Sequence, residues 1–473
     1  MRFIFTLVLL SIFNRLIAQD THYWTQQFGT RSSLMGGAVV GRVMDNSSIF
    51  YNPACLALID TSSISINADL YQLEKTRIEN ALGKQKDFNH DNFKNLPLLF
   101  SGIIPTHDPS LKIGYGFASS VDYNFKGIAR IDSNSPVVDD AESPGNETYI
   151  GQLSLSSRIS ETTFGLGIGK KLNEHWSIGT TLLFTWRDHN YERSLFTRMF
   201  LNKPGSPLVS GDHIESFSYN NLRSQVKLGI HYKGNHYDLG LSVNTPSLKL
   251  FGKGIVAADV TANNILYQGQ RVDVLANDRQ EKLPSLFKTP WSIASGINVD
   301  MKRSQLGVTV QYFGSQKIYD ILQAKPAAFI RPPQASSDVG SDDFLRVKTG
   351  NKSVVNWALG YEYIINNKFT FDVSFRADNS YFDKDVHDVR GIKPDISSWD
   401  IYHVVVGGNA SARRLSLSAG FLFGFGSNKN YIEEGNLDEP KEQNLLQGST
   451  VITEASYRSF GILLGFTVQF NKK

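Results

Sequence analysis

The stretch from Ser459 to Phe470 constrains this chain more than any other. Taken alternately, Phe460, Ile462, Leu464, Phe466, Val468 and Phe470 fall on one side, and Gly461, Leu463, Gly465, Thr467 and Gln469 on the other. A period of two belongs to a β-strand, whose successive Cβ atoms leave opposite faces. One face is apolar and aromatic throughout, while the other is mostly small or polar. The length suits a tilted strand crossing a bilayer, which needs about 9–11 residues. Such a strand cannot stand alone. In hydrocarbon every backbone N–H and C=O must be paired, so strands that cross must close into a barrel.

The rest of the chain supplies the partners. Alternating segments occur near residues 61–72, 96–105, 111–123, 148–171, 175–187, 221–233, 237–250, 289–301, 306–319, 353–366, 368–381, 399–411, 415–426 and 457–470. These make about fourteen strands, an even number of the kind bacterial barrels use. The 148–171 segment is long for one strand, but splitting it would break the order of the connections, which alternate between short and long. Short ones include 172–174, 234–236, 302–305 and 412–414; long ones include 188–220, 251–288, 320–352 and 427–456. Short turns at one end and long loops at the other are the habit of a transmembrane barrel. A soluble sandwich also alternates. The combination of strand length, loop asymmetry, aromatic strand ends and an export signal points to an all-β fold, a transmembrane antiparallel β-barrel.

Residues 1–18 carry Arg2, an apolar run from Phe3 to Phe13 and a stretch ending at Ala18, the pattern of a secretory signal peptide. No cysteine follows the expected cut, which argues against a lipid anchor. The 473 residues carry a formal charge of +3 with 20% charged side chains, so nothing marks a nucleic-acid partner. The single cysteine, Cys55, excludes an internal disulfide framework. The aromatic end of the last strand resembles the terminal strand by which outer-membrane barrels engage the barrel assembly machinery, and outer-membrane lipid is the expected surroundings of the wall.

Residues 19–60 do not alternate. They are polar and glycine-rich, with Gly36-Gly37-Ala38 and then Asn52-Pro53-Ala54. Asn52 can cap a short helix running to Leu58, with Pro53 at the first position, where a missing N–H costs nothing. Gly36-Gly37 is no phosphate cradle, because no Gly-Lys-Ser/Thr follows. The order Arg31, Gly36-Gly37-Ala38, Asp45, Phe50, Asn52-Pro53-Ala54 resembles the N-terminal hatch of the FadL/TodX family of outer-membrane hydrophobic-compound transporters. That resemblance implies a hatch at 19–60 plugging a fourteen-stranded barrel at 61–473, and a ligand that leaves sideways through a gap in the wall. PorV-type components of a protein secretion system, a related branch, open similarly.

Lumen parity places Arg223, Gln225 and Lys227 on one inward face and Arg376 on another. They could meet a ligand carboxylate, steady the hatch, or pair with neighbouring Asp and Glu. Asp383, Asp385, His387 and Asp388 do not reproduce a calcium or zinc pattern and read as a hydrated loop. No nucleophile elbow is present, and His189 and His403 lack a recognisable partner. No catalytic residue, metal or other cofactor is therefore expected. The expected function is passive passage of hydrophobic compounds, such as long-chain fatty acids or aromatic hydrocarbons, across the outer membrane of a Gram-negative bacterium. In it Gly36, Gly37, Asn52, Pro53 and Ala54 move rather than react, and Leu283-Pro284-Ser285-Leu286-Phe287 offers an apolar landing site. The rival is a structural or secretion-associated docking platform, for which the proline-bearing 320–352 loop is a candidate surface.

Overall fold

A computed structural model describes residues 20–267, 269–326 and 344–470. The expected signal peptide lies outside the described residues, as does the middle of the 320–352 connection. Eighteen strands run in the order β1 Ser63–Ile78, β2 Phe88–Pro105, β3 Leu111–Ser135, β4 Glu147–Lys171, β5 Trp176–Phe200, β6 Leu208–Lys233, β7 Tyr237–Asn244, β8 Leu248–Tyr267, β9 Gln270–Pro284, β10 Ser292–Met301, β11 Ser304–Phe313, β12 Gln316–Leu322, β13 Val347–Asn351, β14 Val354–Asn366, β15 Phe369–Asp378, β16 Ile401–Ala412, β17 Leu415–Ile432 and β18 Ile452–Gln469. Fourteen of them, β1–β7, β10, β11 and β14–β18, form a closed antiparallel barrel, sealed by β1 on β18. Each of the fourteen alternating segments overlaps one of these strands, although 237–250 runs on into β8 and 306–319 runs on into β12.

The wall faces outward with its apolar side chains. Phe421 is 50% exposed and Leu464 36%, and Ile178, Leu228, Leu359 and Phe371 share that face, while their neighbours on the same strands turn inward. The 148–171 segment is one strand, 25 residues long, as are β3 and β5.

Two expectations about boundaries fail for physical reasons. The 237–250 segment breaks after Asn244, because Pro246 has no N–H to give a ladder. The connections at 188–220 and 251–288 are mostly strand. β5 and β6 run on beyond the bilayer, and β6 changes partner on the way, pairing with β7 below Lys227 and with β8 above Ser224. In these extensions the polarity of the outer face switches. Asn190, Glu192 and Ser218 are exposed, while Tyr191, Leu195, Met199 and Phe217 pack inside in an apolar cluster with Ile78, Leu82, Trp399 and Tyr457. The external end of the barrel is thus filled with apolar side chains. The candidate landing segment belongs to this filling: Leu283 is 1% and Phe287 8% exposed, so it is not an external greasy surface.

Candidate functional site

The N-terminal segment descends through the lumen and is held at each level by the wall. At the external end the Asp20 carboxylate accepts from the backbone N–H groups of Ile396 (2.6 Å) and Ser397 (2.7 Å). Lower down, Tyr23 stacks on Phe313 with ring centroids 4.2 Å apart, and the Trp24 indole donates to Gln311 Oε1 at 2.9 Å. Thr25 Oγ1 donates to the Ser120 carbonyl of β3 at 2.7 Å. At the opposite end, where the turns between barrel strands are short, Arg31 pairs with Glu362 of β14, and Arg42 reaches Asp238 of β7 (2.8 Å) and Asp300 of β10. Asp45 folds the segment on itself by accepting from Arg31 N (2.9 Å), Ser32 N (2.8 Å) and Ser47 N (3.0 Å).

Asn52 caps a 3-10 helix, Pro53–Leu58, by accepting from Ala54 N at 3.2 Å. Its amide nitrogen donates to Val40 O (3.0 Å) and Ile230 O (3.1 Å), so one side chain joins two parts of the segment to the wall. Gly36 and Gly37 sit at φ +63° and +83°, and a Cβ on Gly36 would come within 2.7 Å of Ser374 Oγ. Both positions need glycine, for backbone conformation and for contact.

What lets a wall accept backbone this closely is a set of inward glycines that face one another across the strand pairs: Gly114 and Gly167, Gly179 and Gly229, Gly240 and Gly296, Gly307 and Gly360, Gly407 and Gly420. A Cβ on Gly240 would strike the Val40 carbonyl oxygen, one on Gly307 the Ala38 carbonyl oxygen, and one on Gly229 the Asn52 side chain. The sequence reading missed this girdle, since only the register shows which glycines meet.

A cavity of about 200 Å³ lies between the Asp20–Phe28 arm and strands β3–β7. Its wall side carries the charge that lumen parity anticipated. Glu161 Oε1 accepts from Arg187 Nη1 (2.7 Å) and Arg223 Nη2 (2.9 Å), so Arg223 is an ion-pair partner. The Arg187 guanidinium also covers the Phe287 ring, 3.9 Å from its centroid. Lys227 lines the cavity, is 6% exposed, and its ammonium group makes no hydrogen bond or ion pair with any described residue. Arg376 lies apart from this group, 2% exposed, with Nη2 3.5 Å from Thr25 O, where it bears on the arm.

The cavity is also lined by Ser120 and Val121, and there the wall is incomplete. β2 and β3 pair only from Leu99/Ala118 to Pro105/Lys112. Above that level neither strand pairs with the other, β2 keeping β1 and β3 keeping β4. Register shifts at Asn67/Ala68, Asp69/Tyr71 and Ser119/Val121 sit at this same height. Side chains hold the seam. Lys94 Nζ donates to the Asp122 carbonyl at 2.8 Å while pairing with Glu74 at 3.0 Å, and Phe88 packs near Phe125 with centroids 6.2 Å apart. Tyr71, Leu73 and Phe93 are exposed on the outside beside it, so the outer surface flanking the seam is apolar.

One constellation resembles hydrolase machinery. Ser177 Oγ is 3.4 Å from His231 Nδ1, and His231 Nε2 is 3.0 Å from Asp238 Oδ1, on three neighbouring strand ends. The Ser177 hydroxyl is committed to Ala54 O at 3.0 Å and is 1% exposed, and Asp238 is shared with Arg42. The array therefore ties Asn52-Pro53-Ala54 to Arg42. The loop at Asp383–Asp388 is a 3-10 turn, with Asp383 accepting from Asp385 N at 3.1 Å.

No protein-family model matches the sequence, nor does any curated protein. Solved structures do match over nearly the whole chain. A Pseudomonas aeruginosa FadL homologue superposes with a TM-score of 0.59 at 11% identity, covering 97% of this chain and 100% of the other. The Pseudomonas putida toluene transporter TodX gives 0.57 at 13% identity, covering 94% and 99%. The Ralstonia pickettii toluene transporter TbuX gives 0.54 at 12%, covering 95% and 100%. The fold is FadL-like, and TodX and TbuX among these similar structures are toluene transporters.

Proposed function

We propose that this chain is an outer-membrane channel for hydrophobic small molecules, exported by its first 18 residues and plugged by residues 19–60 acting as a hatch. The observation that carries this reading is the unpaired β2–β3 seam, because the cavity beside the N-terminal arm ends on the same Ser120 and Val121 that interrupt the wall. A solute that reaches the cavity needs no path along the barrel axis, where the glycine girdle is occupied by backbone. It leaves sideways into lipid. A barrel otherwise loses too much by leaving strand edges unpaired at membrane depth for the gap to be incidental. The FadL-like fold and the transporter roles of the similar structures support the same reading.

In this scheme Gly36, Gly37, Asn52, Pro53 and Ala54 shape and seat the hatch, Arg376 bears on its arm, and Arg223 and Lys227 are the ligand contacts in the cavity. Passage runs down a gradient, with outer-membrane lipid as the receiving phase. The aromatic end of β18 serves the barrel assembly machinery. Uptake of labelled toluene and oleate by cells with and without the protein tests the proposal, and equal rates for both solutes would refute it. One observation favours docking of partner proteins as a second role. Strands β3–β6 rise well past the length a bilayer requires and carry β8 and β9 as an external sheet. Co-purification of a stoichiometric partner with no solute uptake would decide for it.

A further inference from the structure

The central cavity points to a narrower class of ligand, on the premise that it lies on the solute path. Of the ionisable side chains on its wall side, Arg187, Arg223 and Lys227 are cations and only Glu161 is an anion. Glu161 Oε1 serves both arginines. Asp20, at the top of the cavity, has its carboxylate occupied by the Ile396 and Ser397 N–H groups. That leaves Lys227 without a counter-charge, and Arg223 Nη1 is buried with no acceptor. Arg187 and Arg223 are each 4% exposed and Lys227 6%. Buried cations in excess of their anions are costly unless something supplies negative charge and hydrogen-bond acceptors.

Aromatic side chains share the other walls with uncharged polar ones such as Gln26, Gln225 and Asn244. Trp24, Phe50, Tyr51 and Phe313 bound the same space, which is about 200 Å³. A cavity of about 150 Å³ is enough for benzene. One ring with one small charged group fits here, and an extended acyl chain does not. A neutral hydrocarbon would fill the volume but leave Lys227 unpaired. An inorganic anion would pair with Lys227 but leave the rings facing water.

We propose that the cavity binds a compact aromatic monoanion, of the size and charge of benzoate, with its carboxylate on Lys227 and its ring against Trp24, Phe50 and Tyr51. Lys227 then acts as the specificity residue that separates aromatic acids from aromatic hydrocarbons. The unpaired N–H of Arg223 adds a second cationic group on the same cavity wall.

The test uses the full-length protein in detergent micelles, with benzoate, benzamide, oleate and inorganic phosphate titrated by calorimetry against wild type, Lys227→Gln and Lys227→Arg. Wild type should bind benzoate in preference to the other three. Lys227→Gln should weaken benzoate by about tenfold or more, the scale of a lost charged hydrogen bond, and Lys227→Arg should restore most of it. Equal benzoate affinity in wild type and Lys227→Gln, with both barrels still heat-modifiable, overturns the inference. So does wild type binding oleate or phosphate as tightly as benzoate. Toluene uptake by cells is read in parallel. If wild type takes up neither toluene nor labelled benzoate while benzoate binding still depends on Lys227, the channel reading fails and the binding site stands. If toluene uptake is present and benzoate is indifferent to Lys227, the reverse holds.

Discussion

Gly240→Ala puts the glycine girdle to a direct test. The added methyl would strike the Val40 carbonyl oxygen, and no rotamer can relieve it, because Cβ is fixed by the backbone of β7. Strand β7 cannot retreat either, being paired on one side with β6 and on the other with β10. Relief must come from Val40. Its carbonyl accepts from Asn52 Nδ2 at 3.0 Å, so moving it also loosens the side chain that caps the 3-10 helix. Overpacking of this kind costs about 1–3 kcal/mol, and one buried hydrogen bond adds about 1 kcal/mol. Together they displace the seating equilibrium of the hatch by about 2–4 kcal/mol, or roughly 30- to 700-fold at about 1.4 kcal/mol per decade. The wall keeps its ladder, so the barrel should stay heat-modifiable on a gel. The expected signature is faster protease cleavage within residues 20–60 and noisier conductance in planar bilayers. Gly461→Ala is the matched control, since its new methyl would meet nothing closer than Leu422 Cβ at 3.5 Å. If Gly240→Ala and Gly461→Ala behave alike in both assays, the girdle is not the seat of the hatch.

Three further outcomes follow from the same structure. Removing the seam latch with Glu74→Gln and Lys94→Gln together, so that neither charge is left buried alone, should speed toluene uptake, and an unchanged rate would show that the seam is not the exit. Leu464→Arg places a cation on the lipid face of β18 and should cost the folded barrel about 2–4 kcal/mol in urea titration; a loss under about 1 kcal/mol would put that face elsewhere. Burial in the external loops pushes Asp395 up to about 7. The folded state therefore holds a proton that the unfolded state releases near the ordinary carboxyl value of 3.8, and the stabilisation is complete below that pH and lost as pH rises through about 7. Thermal unfolding should thus occur at higher temperature at about pH 5 than at about pH 8, and Asp395→Asn should flatten the difference; a wild-type slope of the opposite sign refutes the assignment.

How much of this could be read from the residues alone depends on what each feature answers to. The wall answers to lipid, which enforces parity, so Trp176, Ile178 and Leu182 turn out and Arg223, Lys227 and Arg376 turn in as their alternation requires. The Asn52 cap and Pro53 are local chemistry and were equally legible. The height of the strands was not. Beyond the bilayer, β5 still alternates, but its apolar members Tyr191, Leu195 and Met199 now point inward, and a window sized to a membrane stops short of them. The seam hides for a related reason. Ile113, Tyr115, Phe117, Tyr123 and Phe125 all occupy odd positions and look like one uninterrupted face, yet the register shift at Ser119/Val121 turns the first three out and the last two in. The girdle and the Ser177, His231, Asp238 array join residues on neighbouring strands, and only the pairing register brings them together. Thr467 makes the same point. Its parity marks it as a lumen position, but its hydroxyl lies 2.8 Å from Ser65 Oγ and 3.2 Å from Thr30 Oγ1, so a large residue there would collide with the N-terminal segment.

The two halves of the proposed path are tied at one residue. Ser120, the bulge in β3, gives its carbonyl to Thr25 Oγ1 and sits 3.2 Å from Thr163 through its own hydroxyl. Thr25 in turn offers its carbonyl to Arg376 on the far wall. The arm therefore spans the lumen and pins the point where β2 and β3 part. The cavity where a ligand would sit lies between that arm and that bulge, with Trp24, Gln26 and Ser120 in its lining. If it binds more tightly when Thr25 has released Ser120, that difference in affinity is what shifts the population toward an open seam, since a ligand moves an equilibrium only by its differential interaction with the two states. A solute small enough to enter without displacing the arm would be held and not passed, so conduction should rise with ligand size until the cavity can no longer take it.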